Sequence, residues 1–202
     1  MATLILLRHG QSLWNLQNRF TGWVDVDLSE QGIQEAQQAG EKLKNTKVDR
    51  LYTSVLMRAE KTAAIALECA GQSEVPKTRD AALNERHYGA LQGLNKDETR
   101  EKYGKEQVHQ WRRSYSVNPP EGESLADTCE RVLPYYRKEI CPHLDAGETV
   151  LVAAHGNSLR ALIKELEQLS EDEIVKVEVP TGVPLVYTLD ASGKVTHKEI
   201  WD

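Results

Sequence analysis

Uninterrupted apolar runs and helical stripes alternate along this chain. Residues 4–7 and 149–154 are continuous, nearly all-aliphatic segments, as expected of strands covered on both faces. Residues 48–53 and 75–78 are shorter strand candidates. Residues 185–189 and 195–200, joined through Asp190, Ala191, Ser192 and Gly193, predict a terminal hairpin. Between the strands, apolar residues recur at three- and four-residue steps. Ile33, Ala36, Gly40 and Leu43 predict one helix face behind a Ser29 cap. Leu56, Ala59, Ala63 and Leu67 predict another, with Ser54 as its cap and Arg58 in its first turn. Residues 96–115 are expected to be mostly helical. Leu125, Cys129, Val132, Tyr136 and Ile140 mark a long helix opened by a Ser124–Asp127 capping box and disturbed at Pro134. Leu159, Leu162, Ile163 and Leu166 mark a further helix, and Ser170 with Glu173 caps a short one. Strands alternating with helices predict an α/β fold in three layers: a mainly parallel central sheet with an antiparallel edge and helices on both faces. No repeat, low-complexity tract or linker divides residues 1–202, so a single domain is expected.

Three places break the pattern with dense polar chemistry. The first strand runs into Arg8, His9, Gly10, Gln11, Ser12 and Asn15, and the strand at 149–154 runs into His155, Gly156 and Asn157. Polar residues at the carboxyl ends of buried strands sit where open α/β sheets place their ligands, and a parallel sheet can bring both ends to one crevice. Two imidazoles there allow a division of labour, one attacking as a neutral nucleophile and the other donating to the transferring group. Phosphoryl transfer asks for little more than an aligned nucleophile and charge-matched donors, and Arg8 and Arg58 suit phosphate oxygens. The third place is residues 82–95, where periodicity fails and Glu85 stands out as a general acid/base candidate. Plainer readings exist for each: His155 as a satisfied core histidine, Glu85 paired with Arg86, Lys96 and the Arg112–Arg113 pair as a solvated helix face, and Trp14, Trp23 and Trp111 as packing residues. A metal centre is disfavoured because neither His-Gly step has further ligands at close spacing.

Charge narrows the partners. With 25 basic and 31 acidic residues the formal charge is −6, which gives no global reason to seek nucleic acid or an anionic membrane surface. An anionic small molecule would have to be met by local clusters of Arg and Lys. Cys69, Cys129 and Cys141 are odd in number and lack metal spacing, so free thiols in a reducing compartment are expected. The N-terminus lacks a signal-peptide pattern and no run approaches the ~20 residues of a membrane span, so a cytoplasmic protein is expected.

Taken together, Arg8-His9-Gly10, Arg58, Glu85 and His155 resemble the histidine phosphatase superfamily. Longer blocks resemble its 2,3-bisphosphoglycerate-dependent phosphoglycerate mutases: Phe20 to Trp23, Asp25 to Glu30, Tyr52 to Leu56, Leu83 to Lys96, Gln110 to Arg113, Ala154 to Leu162 and Pro180 to Leu185. The resemblance implies interconversion of 2-phosphoglycerate and 3-phosphoglycerate, with His9 as phosphohistidine and 2,3-bisphosphoglycerate as the priming phosphoryl donor, without a metal. It assigns His155 to transition-state stabilisation and Glu85 to the substrate hydroxyl. Arg8, Ser12, Asn15, Arg58, Gly156 and Asn157 would hold the transferring phosphoryl group. Thr21, Gly22, Tyr88, Lys96, Arg112 and Arg113 would bind the substrate carboxylate and second phosphate. Family precedent implies a homodimer.

The chain departs from that pattern in three ways. Gln11 stands where Glu is common, only Glu121, Gly122 and Glu123 connect Pro120 to Ser124, and the sequence stops at Asp202 where longer members carry a mobile tail. The short connection leaves a monomer as the alternative to a homodimer. The shorter end is expected to open the site and favour hydrolysis of the phosphohistidine. The rival activity is a phosphatase of the same superfamily acting on small phosphate esters. A non-catalytic phospho-ligand-binding protein is disfavoured because every expected catalytic position is filled.

Overall fold

The computed structural model describes residues 1–202. Chain order runs β1 (Ala2–Arg8), α1 (Leu13–Leu16), α2 (Glu30–Leu43), β2 (Arg50–Thr53), α3 (Met57–Cys69) and β3 (Lys77–Arg79). It continues with α4 (Lys96–Tyr103), α5 (Lys105–Arg113), α6 (Leu125–Tyr135), α7 (Cys141–Asp145), β4 (Thr149–Ala154), α8 (Gly156–Glu167), α9 (Glu171–Ile174), β5 (Pro184–Leu189) and β6 (Val195–Ile200). The strands form one sheet in the order β3-β2-β4-β1-β5-β6. The β3, β2, β4 and β1 pairs are parallel, and β5 and β6 close one side antiparallel, as the terminal hairpin predicted.

Alternation along the central strands divides the core. Leu4, Leu6, Val150 and Val152 face a layer that includes Val132, Ile140, Leu159 and Leu162, from α6 to α8. Ile5, Leu7, Leu151 and Ala153 face Ala39, Leu43, Ala63 and Ala66 of α2 and α3. Leu4 to Leu7 are fully buried, and each contributes on the order of 1.5–3 kcal/mol by leaving water. A smaller cluster of Phe20, Leu91, Val108 and Trp111 lies away from the sheet and supports the loops above its carboxyl ends.

Three details differ from the periodicity reading. Ser54 does not cap α3, whose N-cap is Leu56; the Ser54 hydroxyl instead accepts the Leu56 N–H and meets a histidine ring. Ile33 is exposed, and Gly32, Ala36, Ala39, Gly40 and Leu43 form the buried face of α2. The stretch at 96–115 is two helices, because Gly104 at φ +88° turns the chain between α4 and α5. The disturbance expected at Pro134 is present. Proline has no N–H to donate, and the helix passes into a π-helical turn at Tyr136–Ile140. The thiols are free, with Cys129 buried and the other two partly so.

The loop after β1 is locked to α2 by close backbone approach. A Cβ on Gly10 would lie 2.2 Å from the Gly32 carbonyl oxygen, and one on Gly32 would lie 2.1 Å from the Gln11 carbonyl oxygen. The Ser29 hydroxyl accepts the Gly32 N–H at 3.1 Å and donates to Gln11 Oε1 at 2.8 Å. Gln11 therefore faces Ser29. Gly32→Ala forces backbone against backbone, with an expected loss of about 1–3 kcal/mol and a melting midpoint several degrees lower. Calorimetric melting at the parental temperature would show that the two segments are not in contact.

Candidate active site

The register of β1 against β4 builds the centre of the site. Arg8 pairs with Ala154, so His9 and His155 leave adjacent strands at the same level, and the His9 N–H donates to the Ala154 carbonyl at 3.1 Å. The imidazole centroids are 5.1 Å apart. His9 Nδ1 lies 2.6 Å from the Gly10 carbonyl oxygen. A carbonyl only accepts, so the proton is on Nδ1 and the Nε2 lone pair is free. Burial, reinforced by the Arg58 and Arg8 charges, holds the His9 pKa well below its usual value, and burial with Arg58 does the same to His155. Both rings are neutral at pH 7, the state a nucleophile requires. His155 Nε2 meets the Ser54 hydroxyl at 2.7 Å, while its Nδ1 is buried without a partner.

Above the rings lies a cavity of about 220 Å³. Arg8, Arg19, Arg58, Lys96, Arg112, Arg113 and Arg160 bring seven cationic side chains to its wall, against the carboxylates of Glu85 and Glu178. Several arginines are held by backbone carbonyls. Arg58 donates to Gly22 at 2.7 Å and Val24 at 2.9 Å, Arg19 to Gly93 at 2.7 Å and Arg8 to Val179 at 2.8 Å. Burial lowers the Arg58 pKa to about 10, so it remains protonated at neutral pH. Buried polar atoms without partners include Arg8 Nε and Thr21 Oγ1 alongside His155 Nδ1. Arg8 and Thr21 line the cavity, so their orphaned atoms indicate groups that a ligand satisfies. Their chemistry fits a phosphate-bearing anion.

Glu85 is fixed from several sides. Its Oε1 accepts the N–H groups of Arg86 at 2.8 Å and Asn157 at 3.0 Å, which leaves Oε2 free of backbone donors. Its own carbonyl accepts from Trp23 Nε1 at 2.6 Å and from Arg131 at 3.2 Å. The plain pairing with Arg86 is absent: that guanidinium reaches the carbonyls of Trp111, Val117 and Glu123. Gly156 and Asn157 begin α8, whose N-terminal end favours negative charge.

Most residues singled out from sequence meet at this cavity: Arg8, His9, Asn15, Thr21, Gly22, Arg58, Glu85, Tyr88, Lys96, Arg112, Arg113, Gly156 and Asn157 line it. His155 is not in the lining, though its ring centroid lies 5.1 Å from that of His9. Ser12 is not in the wall; its hydroxyl caps α1 by accepting the Asn15 N–H, while Asn15 Oδ1 accepts the Ser12 N–H. Sequence reasoning missed Arg19, Phe20 as a liner, Arg160 and Glu178. Arg160 had a signal, because it follows Gly156 by one helical turn.

Lys96 lies over the Phe20 ring at 5.8 Å. Burial, with Arg112 and Arg8 adding repulsion, lowers its pKa to about 8. A bound anion favours the charged form and moves that pKa upward, so binding takes up protons just above this value and weakens as pH rises further. Calorimetry of inorganic phosphate binding in buffers of different ionisation enthalpy should show that uptake, and Lys96→Met should remove it. Uptake unchanged in Lys96→Met would assign the proton to another group.

The histidine phosphatase superfamily (branch 1) matches residues 4–199. The chain is 60% identical over 200 residues to the 2,3-bisphosphoglycerate-dependent phosphoglycerate mutase of Mesorhizobium japonicum, across 98% of this chain and 97% of that protein. It is 58% identical over 201 residues to the phosphoglycerate mutase of Schizosaccharomyces pombe, across 98% and 95%. Among solved structures, Bacillus stearothermophilus YhfR superposes with a TM-score of 0.85 at 29% identity, covering 96% of this chain and 94% of that one. The fold, the paired histidines and these similarities agree: the chain belongs to the histidine phosphatase superfamily, alongside its 2,3-bisphosphoglycerate-dependent phosphoglycerate mutases.

Proposed function

We propose that this protein interconverts 2-phosphoglycerate and 3-phosphoglycerate through a phosphohistidine at His9. The observation that carries the reading is the double character of the cavity. A neutral His9 under the charges of Arg8 and Arg58 shares one cavity with three further cations, Lys96, Arg112 and Arg113, which are more than a single phosphate requires. A simple phosphatase needs the first set. A substrate with a phosphate and a carboxylate uses both. The full-length similarity to mutases supports the same choice.

Each chain residue has a role that follows from its setting. The His9 Nε2 lone pair attacks phosphorus while Nδ1–H remains on the Gly10 carbonyl. Arg8, Arg58, the start of α8 and His155 Nδ1, in the tautomer carrying its proton, meet the charge on the equatorial oxygens. Glu85 Oε2 takes the proton from the attacking substrate hydroxyl and returns it to the leaving oxygen in the reverse transfer. Lys96, Arg112 and Arg113 hold the carboxylate end and so choose which hydroxyl faces His9. 2,3-Bisphosphoglycerate, when bound, supplies the phosphoryl group that primes His9, and the same cations and orphaned donors would hold it.

Incubation with 3-phosphoglycerate, while 2-phosphoglycerate is followed, should show turnover that depends on added 2,3-bisphosphoglycerate. His9→Ala should abolish it, and Glu85→Gln should lower kcat by about 10²- to 10⁴-fold, the range of a lost general base. Release of inorganic phosphate without isomerisation would identify a phosphatase instead, and turnover by His9→Ala would rule out the covalent route.

A further inference from the structure

The carboxylate of Glu178 lies in the wall of the cation-lined cavity. It lies between Val177 and Val179, both packed against the core layer on the α6–α8 side of the sheet. Arg160 Nε donates to the Val177 carbonyl at 2.8 Å, and Arg8 Nη1 donates to the Val179 carbonyl at 2.8 Å. Two arginines of the site thus pin the backbone on either side of residue 178. With its neighbours turned to the core, the Glu178 side chain faces the cavity and forms part of its wall. There Oε1 lies 2.9 Å from Arg113 Nη2, and Oε2 lies 3.8 Å from Arg160 Nη2. The side chain is 70% exposed, so the pairing is weak and exchangeable. Glu85, the other carboxylate in the wall, is committed through Oε1 to two backbone amides.

We propose that Glu178 is an internal counter-anion that sets ligand selectivity. It occupies Arg113 and Arg160 while the cavity is free, and the far anionic group of a ligand displaces it. The inference rests on the mutase reading above. Seven cations around one small cavity would hold a bisphosphorylated ligand too firmly for it to turn over or leave in each cycle. A fixed negative charge at the far end weakens that hold, and it weakens it most for the ligand with charge at both ends. A lone phosphate held at His9 by Arg8 and Arg58 does not need Arg113 and Arg160, so it is affected less.

The test compares Glu178→Gln with the parent, both in a His9→Ala background so that no phosphoryl group is transferred during titration. Calorimetry is run with 2,3-bisphosphoglycerate and with inorganic phosphate. Glu178→Gln should tighten bisphosphoglycerate binding roughly two- to five-fold at low salt, as loss of an exposed pair and its repulsion allows. The gain should shrink as salt is raised, and inorganic phosphate should gain less. Unchanged affinity, or equal tightening for both ligands, overturns the selectivity role. Weaker bisphosphoglycerate binding also overturns it, because Glu178 would then be orienting its arginines for the ligand. The comparison reads binding alone, so a protein with His9 intact that binds both ligands yet fails to isomerise phosphoglycerate refutes the mutase reading separately.

Discussion

The parallel pairing of β1 with β4 is the constraint on which the rest of the structure depends. Leu4 to Leu7 and Val150 to Ala154 are buried on both faces, so their register cannot slip by one residue without turning each layer's side chains to the wrong side. That register sets His9 and His155 level with each other, and the bond from the His9 N–H to the Ala154 carbonyl carries it one residue beyond the strands. Helices α2 and α3 on one side and α6 and α8 on the other fix the strands. The chemistry is then a consequence of where two buried strands stop.

A second constraint is charge. The chain is acidic overall, yet its site gathers seven cations at short range. Several of them are secured through backbone carbonyls: Arg8 on Val179, Arg19 on Gly93, Arg58 on Gly22 and Val24, and Arg160 on Val177. A carbonyl orients a guanidinium without cancelling its charge, whereas a carboxylate would do both. The loops are thereby held in place by the same side chains that remain available to an anion. Loop geometry and anion affinity are one arrangement here, and disrupting either disturbs the other. Glu178 is the exception that shows the rule, a carboxylate placed among these cations on an exposed, exchangeable side chain.

Much of the fold was legible because its signals are local. Continuous aliphatic runs, three- and four-residue stripes and the Ser29, Ser124 and Ser170 caps each depend on neighbours in sequence, and the structure realises them. The two strand-ending histidines were legible for the same reason. Ser54 misled because a serine before a helix has two outlets for its hydroxyl, and His155, remote in sequence, takes part of it. Ser12, which the resemblance assigns to the transferring phosphoryl group, lies outside the cavity wall and caps α1 by accepting the Asn15 N–H. Arg19 and Glu178 enter the cavity through tertiary contacts, with Gly93 and with Arg113, that no spacing rule encodes. For Lys96, Arg112 and Arg113 periodicity alone allows a solvated helix face, and only the resemblance gives them a ligand role; the structure puts them on two helices, split at Gly104, and in the cavity wall.

The contact between His9 Nδ1 and the Gly10 carbonyl is where strand register and site chemistry meet. Before reaction it fixes the tautomer, leaving Nε2 as the lone pair. Once a phosphoryl group is on Nε2 the ring is cationic, and the same carbonyl then accepts a charge-assisted hydrogen bond. In the proposed reaction, one contact therefore prepares the nucleophile and stabilises what it becomes. Its position is not set by His9. The Gly10 N–H is held by the Thr62 hydroxyl at 3.0 Å, and that hydroxyl donates to the Arg58 carbonyl at 2.7 Å. From the other side, Gly10 rests against Gly32, where any Cβ would collide, in the first turn of a helix capped by Ser29. The reactivity of one imidazole thus depends on a helix cap some twenty residues away, through a chain of contacts in which the backbone has no room to move.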